Sequence, residues 1–280
     1  MPELPEVTTI INVLKKTTLI GTKIRSVDVL IPKVIKNTTV NKFKQFFVGE
    51  EFIDIERIGK YIIYKLKHDK VFVAHLRMEG KFFYIESKKI TSTKHLMCKF
   101  NLDNGYSLTY YDSRMFGTFT IYNGKDYLKS KEISKIAIDP LNKDFVGEYL
   151  FKKIQKINRP IKTVLLDQSI VSGIGNIYAD EILFKCKIHP LTKARLLTLE
   201  ECNMIAIYSK AVLLDAIKHK GTTIFSYKFD KNHSGEYQSY LQVHQRKKLP
   251  CKICKTKIEK IKVNGRGTYF CPNCQKEKTC

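Results

Sequence analysis

The 280-residue sequence contains no tryptophan, and only 8 of its 50 basic residues are arginine, a skew that excludes no function by itself. Acids are the more telling shortage. Asp and Glu number 27 against 50 Lys and Arg, a formal net charge of +23. No globular domain needs that excess to fold, and it opposes compaction by self-repulsion, so a polyanionic partner is the first hypothesis. No apolar run reaches the ~18 to 20 residues of a membrane span, which excludes a helical membrane protein. Basic residues are missing from the opening Met1-Pro2-Glu3-Leu4-Pro5-Glu6, where a secretory leader would carry them, so a soluble, cytosolic chain is expected. There is no internal repeat and no low-complexity tract. Hydrophobic residues are not short, at 43%, which excludes a wholly disordered chain and leaves room for one large domain or two to three smaller ones.

Of 8 cysteines, four form Cys251-x2-Cys254 and Cys271-x2-Cys274, sixteen residues apart. Each knuckle turns two thiolates toward one centre, which suits a structural zinc with four sulfur ligands. Asn264-Gly265, midway along Ile258 to Phe270, is a hairpin-turn signal. Two disulfides or redox pairs are the alternative, against which a cytosolic setting argues. Cys98, Cys186, Cys202 and Cys280 show no ligand spacing and are expected to be buried or incidental thiols. The segment from Arg246 to Arg266 is rich in Lys and Arg, which fits either a nucleic-acid contact or a solvated charged face.

A helix is expected from Glu6 to Leu19. From 22 to about 122 the pattern is strand-like. Ile53 and Ile55 alternate with Asp54 and Glu56, and Tyr61 to Leu66, Val71 to Leu76 and Lys81 to Ile85 are short apolar runs. Asp103-Asn104-Gly105 marks a hairpin, and the spacing of the runs predicts a β-sandwich. After Lys125 the period becomes helical over Asp144 to Lys156, Ile161 to Gln168, Asn176 to Cys186 and Leu199 to His219, the last opened by a Thr198/Glu201 capping box. Gly221 to Tyr237 is polar and reads as a mobile loop. The fold class is multidomain α+β: a β domain over 2–130, a helical domain over 131–245 and a zinc-finger β-hairpin over 246–280.

Three groups of residues suggest chemistry. Removal of Met1 would leave Pro2 as a secondary amine, a nucleophile able to form a Schiff base at a sugar C1′, with Glu3 and Glu6 beside it for proton transfer. An α-amino group titrates near ~7.7 to 8.0, so it needs little tuning for this task. Many unrelated proteins open in the same way. Gly173-Ile174-Gly175-Asn176 before a helix can approach a phosphate, or can be a plain helix-helix turn. Arg114, Phe116 and Met78 could fill a gap in a base stack, or be ordinary packed and surface residues.

Together these residues resemble the bacterial formamidopyrimidine-DNA glycosylase family over essentially the whole chain. The resemblance is carried by Pro2-Glu3-Leu4-Pro5-Glu6-Val7, Gly59-Lys60-Tyr61, His75-Leu76-Arg77-Met78-Glu79-Gly80, Asp112-Ser113-Arg114-Met115-Phe116-Gly117, Gly173-Ile174-Gly175-Asn176-Ile177-Tyr178-Ala179-Asp180-Glu181 and Gly265-Arg266-Gly267-Thr268-Tyr269-Phe270-Cys271-Pro272, in that order. It implies an N-terminal β-sandwich with an N-terminal helix, a helix-two-turn-helix domain and the zinc finger. It implies a bifunctional DNA glycosylase and abasic-site lyase of base excision repair, acting on 8-oxoguanine opposite cytosine and on formamidopyrimidines, with β,δ-elimination.

On this resemblance Pro2 is the nucleophile and Glu3 the general acid/base, and Lys60 and Arg266 are grouped with them as catalytic residues. Lys60, Asn176 and Arg266 hold phosphates, and Glu6 is grouped with the DNA contacts. Met78, Arg114 and Phe116 fill the void, Arg114 facing the orphaned cytosine. Glu79, Thr222, Thr223 and Tyr227 line the lesion pocket, and Gly221 to Tyr237 closes over it. One structural zinc, double-stranded DNA with an oxidised purine or abasic site, a monomer and a bacterial cytoplasm complete the expectation. Two other readings are an inactive zinc-containing DNA-binding protein of the same fold and an oxidised-pyrimidine glycosylase like endonuclease VIII, against which Leu4 speaks. The chain departs from the family at His244-Gln245-Arg246-Lys247-Lys248-Leu249-Pro250-Cys251, where Tyr-Gly-Arg and a later Gly are usual; the departure bears on the hinge between helical domain and zinc tail, in a direction the sequence does not give, and leaves the proposed chemistry untouched.

Overall fold

The computed structural model describes residues 1–222 and 235–278. They fall into two compact units, residues 1–134 and residues 135–222 with 235–278.

The first unit opens with helix α1 (Leu4–Lys15). Glu3 and Glu6 form a reciprocal capping box, and Pro5 occupies the first turn, where its missing N–H has no helical partner to lose. The helix therefore starts two residues before the expected Glu6. It ends before Leu19, where the Thr17 hydroxyl donates to the Leu14 carbonyl at 2.6 Å and competes with the helical ladder. Val7, Ile10, Ile11 and Leu14 form its buried face, which packs on the strands Phe52–Ile58 and Tyr61–Leu66.

Eight strands follow: β1 (Ile24–Val29), β2 (Phe52–Ile58), β3 (Tyr61–Leu66), β4 (Lys70–His75), β5 (Lys81–Glu86), β6 (Leu96–Leu102), β7 (Tyr106–Tyr111) and β8 (Thr118–Asn123). They make two four-stranded antiparallel sheets, ordered β1-β6-β7-β5 and β2-β3-β4-β8. The sheets face each other across an aromatic core: Phe72 meets Phe100 at 5.5 Å, Tyr64 meets Phe82 at 5.4 Å and Tyr110 meets Phe119 at 4.7 Å. This is the expected sandwich.

One element corrects the strand-like reading of 22 to 122. Helix α2 (Val40–Phe47) lies between β1 and β2. Thr39 caps it, accepting from the Lys42 N–H at 3.3 Å. Phe43 and Phe47, four apart, share one face and bury fully against Phe72 and Phe100.

The second unit contains α3 (Gly147–Ile154), α4 (Ile161–Leu165), α5 (Asn176–Lys185) and α6 (Leu199–Lys218), close to the expected spans. The Thr198/Glu201 box opens α6 as expected. α5 is buried along most of its length, Asp180 and Glu181 included. The cysteine hairpin, β9 (Glu259–Val263) and β10 (Arg266–Phe270), packs on α5. Its turn is the expected Asn264-Gly265, with φ of +44° and +76°, a two-residue connection whose twist suits antiparallel strands.

Candidate functional site

In the first unit the chemistry-bearing residues sit at the start of α1 and on three turns. The Glu3 N–H donates to the Glu6 carboxylate at 2.9 Å, and the Glu3 side chain accepts from the Glu6 N–H. Glu3 is buried, whereas Met1 ahead of Pro2 is exposed. Lys60 follows Gly59 in the turn between β2 and β3 and is only 6% exposed, an unusual burial for lysine.

His75 ends β4 and packs its ring on Tyr61 at 4.5 Å. Burial, with the Arg77 and Lys60 charges behind it, pushes the His75 imidazole down to about 3. Its Nδ1 accepts the Arg77 N–H at 3.0 Å, so the neutral ring carries its hydrogen on Nε2. That bond shapes the turn presenting Met78 and Glu79. Glu79 lies close enough to Lys81 to oppose the lowering that burial imposes on that ammonium.

The turn after β7 is organised by Asp112, fully buried. Its carboxylate accepts from the backbone N–H of Arg114 at 3.0 Å, Phe116 at 2.9 Å and Gly117 at 2.8 Å. Arg114 and Phe116 are held together, the guanidinium 4.8 Å from the ring centre. The two turns meet at one hydroxyl: a Cβ on Gly80 or on Gly117 would collide with Tyr110 Oη. Met78 and Phe116 are 38% and 48% exposed, apolar side chains presented to solvent on adjoining turns.

In the second unit, Gly175 caps α5 and Asn176 begins it. Gln168 fixes the glycine turn by accepting the Gly173 N–H at 2.9 Å and donating to the Ile174 carbonyl at 3.0 Å. The Asn176 amide donates to the Gly267 carbonyl at 2.9 Å, while Arg266, the preceding residue, is exposed at the start of β10. Asn176 and Arg266 are thus brought together through the hairpin backbone. Thr222 is buried beyond α6. Thr223 and Tyr227, and most of the loop expected from 221 to 237, lie outside the described residues.

The sulfur atoms of Cys251, Cys254, Cys271 and Cys274 all lie within 4.8 Å of one another. Sulfur pairs at 3.4, 3.5 and 4.0 Å bracket the separation of about 3.8 Å that four thiolates take around a tetrahedral zinc. The Ile253 and Cys274 N–H groups point at the Cys251 and Cys271 sulfurs at 3.4 and 3.5 Å. Hydrogen bonds from Thr256 first, then Asn273, pull the Cys254 thiol down to about 5, which favours the ligating thiolate. The residues fit one structural zinc. Cys98, Cys186 and Cys202 are buried thiols, as expected, and Cys280 is outside the described residues.

Three residues of the quoted motifs have an anchoring role that the sequence did not reveal: Asp112, Asp180 and Glu181. Asp112 was visible only as part of a motif, although an Asp two residues before Arg114 is itself an Asx-turn signal. Glu181 accepts from the N–H groups of Gln242, Val243 and His244 at 2.8, 3.0 and 2.8 Å and ties α5 to the approach to the hairpin. Asp180 binds Lys162 Nζ at 2.6 Å and His244 Nδ1 at 2.7 Å. The partners of the last two acids lie too far along the chain for spacing to reveal them.

Comparison with known proteins places this geometry in context. Residues 1–119 match the formamidopyrimidine-DNA glycosylase N-terminal domain, residues 136–228 its H2TH domain, and residues 248–276 a zinc finger found in FPG and IleRS. The chain is 48% identical to a formamidopyrimidine-DNA glycosylase of Ureaplasma parvum over 98% of its own length and 100% of the relative's. It is 46% identical to that of Mycoplasma genitalium, over 100% and 97%. Among solved structures, a Lactococcus lactis protein of the same name, as a mutant in complex with Fapy-dG containing DNA, superposes with a TM-score of 0.92 at 34% identity, covering 99% of this chain and 100% of that one. The Lactococcus lactis protein bound to abasic-site DNA gives the same score and identity over 98% and 100%.

Proposed function

The chain belongs to the formamidopyrimidine-DNA glycosylase family, and from that footing we propose how its residues divide the work of a bifunctional glycosylase and abasic-site lyase. It is a DNA glycosylase of base excision repair. The single observation that carries the reading is agreement over the full length of relatives bearing that name, at 48% identity. The lyase chemistry is typical of the family. Double-stranded DNA with an oxidised purine or abasic site is the partner, a reading supported by the DNA in the Lactococcus lactis complexes.

The proposed chemistry begins with loss of Met1. The Pro2 amine then bonds to C1′ of the damaged nucleotide as the glycosidic bond breaks. Glu3 supplies the proton that opens the sugar ring at its oxygen, leaving an iminium on Pro2. The iminium acidifies C2′, whose proton is lost as the 3′ phosphate leaves; a second elimination releases the 5′ phosphate. Buried Lys60, and Asn176 with Arg266, hold phosphates around the extruded nucleotide. Exposed Met78, Phe116 and Arg114 take its place in the stack, which offsets the cost of extrusion. Glu79 and Thr222 belong to the lesion pocket. Cys251, Cys254, Cys271 and Cys274 hold the structural zinc, whose contribution is folding energy for a short hairpin.

A substrate panel tests the reading. Duplexes carrying 8-oxoguanine opposite cytosine, formamidopyrimidine-guanine or thymine glycol are incubated with the protein. Release of the first two in preference to the third is expected. Preference for thymine glycol would move the chain to the endonuclease VIII branch, and tight binding with no release to an inactive binding protein.

A further inference from the structure

The His244 side chain closes a buried network at the base of the hairpin. Its Nδ1 lies 2.7 Å from Asp180 Oδ2. A carboxylate only accepts, so Nδ1 carries the hydrogen. The same Oδ2 accepts the Tyr269 N–H at 3.2 Å, and Oδ1 accepts from Lys162 Nζ at 2.6 Å. Lys162 Nζ also donates to the Gly267 carbonyl at 3.3 Å, the carbonyl that the Asn176 amide uses at 2.9 Å. Lys162 and Asp180 are fully buried and His244 nearly so. The imidazole packs edge-on against Tyr269 at 5.0 Å.

Asp180 is therefore held by three donors from three parts of the chain, and two of its links lead to β10. One reaches the Tyr269 backbone directly. The other passes through Lys162 to Gly267, which adjoins Arg266 and anchors Asn176. In a buried site such bonds are strong and directional, and loss of one donor frees the carboxylate to turn toward the others. We propose that His244 is a positioning residue for Asn176 and Arg266: through Asp180 it fixes the strand backbone on which both depend. The inference rests on the reading of Asn176 and Arg266 as phosphate ligands.

The test is a double-mutant cycle on binding to a duplex with a tetrahydrofuran abasic analogue, which cannot be cleaved. His244→Phe keeps the ring and loses the donor; His244→Asn returns an N–H close to where Nδ1 sits. H244F is expected to raise Kd about tenfold, the size of one charge-assisted hydrogen bond, and H244N to restore it to within about twofold. Single-turnover excision at saturating DNA is expected to change by less than about twofold in H244F, because the positioning acts on binding. In an Asn176→Ala background, H244F should add less than about twofold, since the two act on one clamp. Multiplying effects, wild-type binding by H244F, or loss of its zinc would each overturn the proposal. An N176A protein that binds like wild type would instead remove the phosphate reading beneath it.

Discussion

Glu3 and Glu6 hold each other: the Glu3 N–H donates to the Glu6 carboxylate at 2.9 Å and the Glu3 side chain accepts the Glu6 N–H. The box fixes the direction of the acid next to Pro2. Glu6 thus has a structural task alongside its proposed place among the DNA contacts. Glu6→Ala is expected to cost about 1 kcal/mol of stability, typical of a lost cap, and to slow base excision several-fold. Glu6→Gln, which retains an acceptor, should recover most of the rate. Thermal melts and single-turnover excision read both effects; an E6A protein with unchanged rate would detach the box from catalysis.

The buried His75 makes stability depend on pH. Its folded value of about 3 lies below the ordinary imidazole value of 6.5, so the unfolded chain binds the extra proton between those limits. The stabilisation is fully present above about 6.5 and is lost as pH falls toward 3. His75→Asn keeps an acceptor for the Arg77 N–H but does not titrate. The melting temperature of H75N should fall less steeply than wild type from pH 6.5 to 4. Parallel curves would show that other groups set the acid limb.

Much of this was readable beforehand where the signal is local. Asn264-Gly265 and Thr198/Glu201 are short patterns with one structural solution each, and both appear as expected. Helix α2 escaped because its eight residues hold two core phenylalanines among strand-like neighbours, too short a stretch for period to decide. The tie between Asp180 and His244 spans 64 residues, and no spacing rule reaches that far. Lys60 was legible only through resemblance, since burial of a charge is a tertiary fact.

Gln245 and Lys248 take φ of +61° and +68°, the left-handed region that glycine occupies without strain. Bonds from Arg246 to the Gln242 and Pro250 carbonyls at 2.8 and 3.0 Å, and from the Lys248 N–H to Ile258 at 2.8 Å, hold the turn. Gln245→Gly and Lys248→Gly should each stabilise by about 1 kcal/mol, the αL cost less the entropy of glycine. Denaturant melts check this; a destabilised K248G would mean that the lysine side chain outweighs the strain.

Removal of zinc should unfold the hairpin and release the link between Asn176 and Gly267. A strong chelator is expected to extract one zinc per chain and abolish tight DNA binding, with extraction easier at lower pH as thiols reprotonate. Metal analysis beside a binding titration reads both. Retained affinity in the metal-free chain would remove the hairpin from the DNA interface.

The most direct test is covalent. The protein is incubated with an 8-oxoguanine:cytosine duplex and sodium borohydride, and the cross-linked peptide is mapped by mass spectrometry. An adduct on the amine of Pro2 is expected, in a chain from which Met1 has been removed. An adduct on Lys60 or another lysine, or none from a protein that binds the duplex tightly, would contradict it.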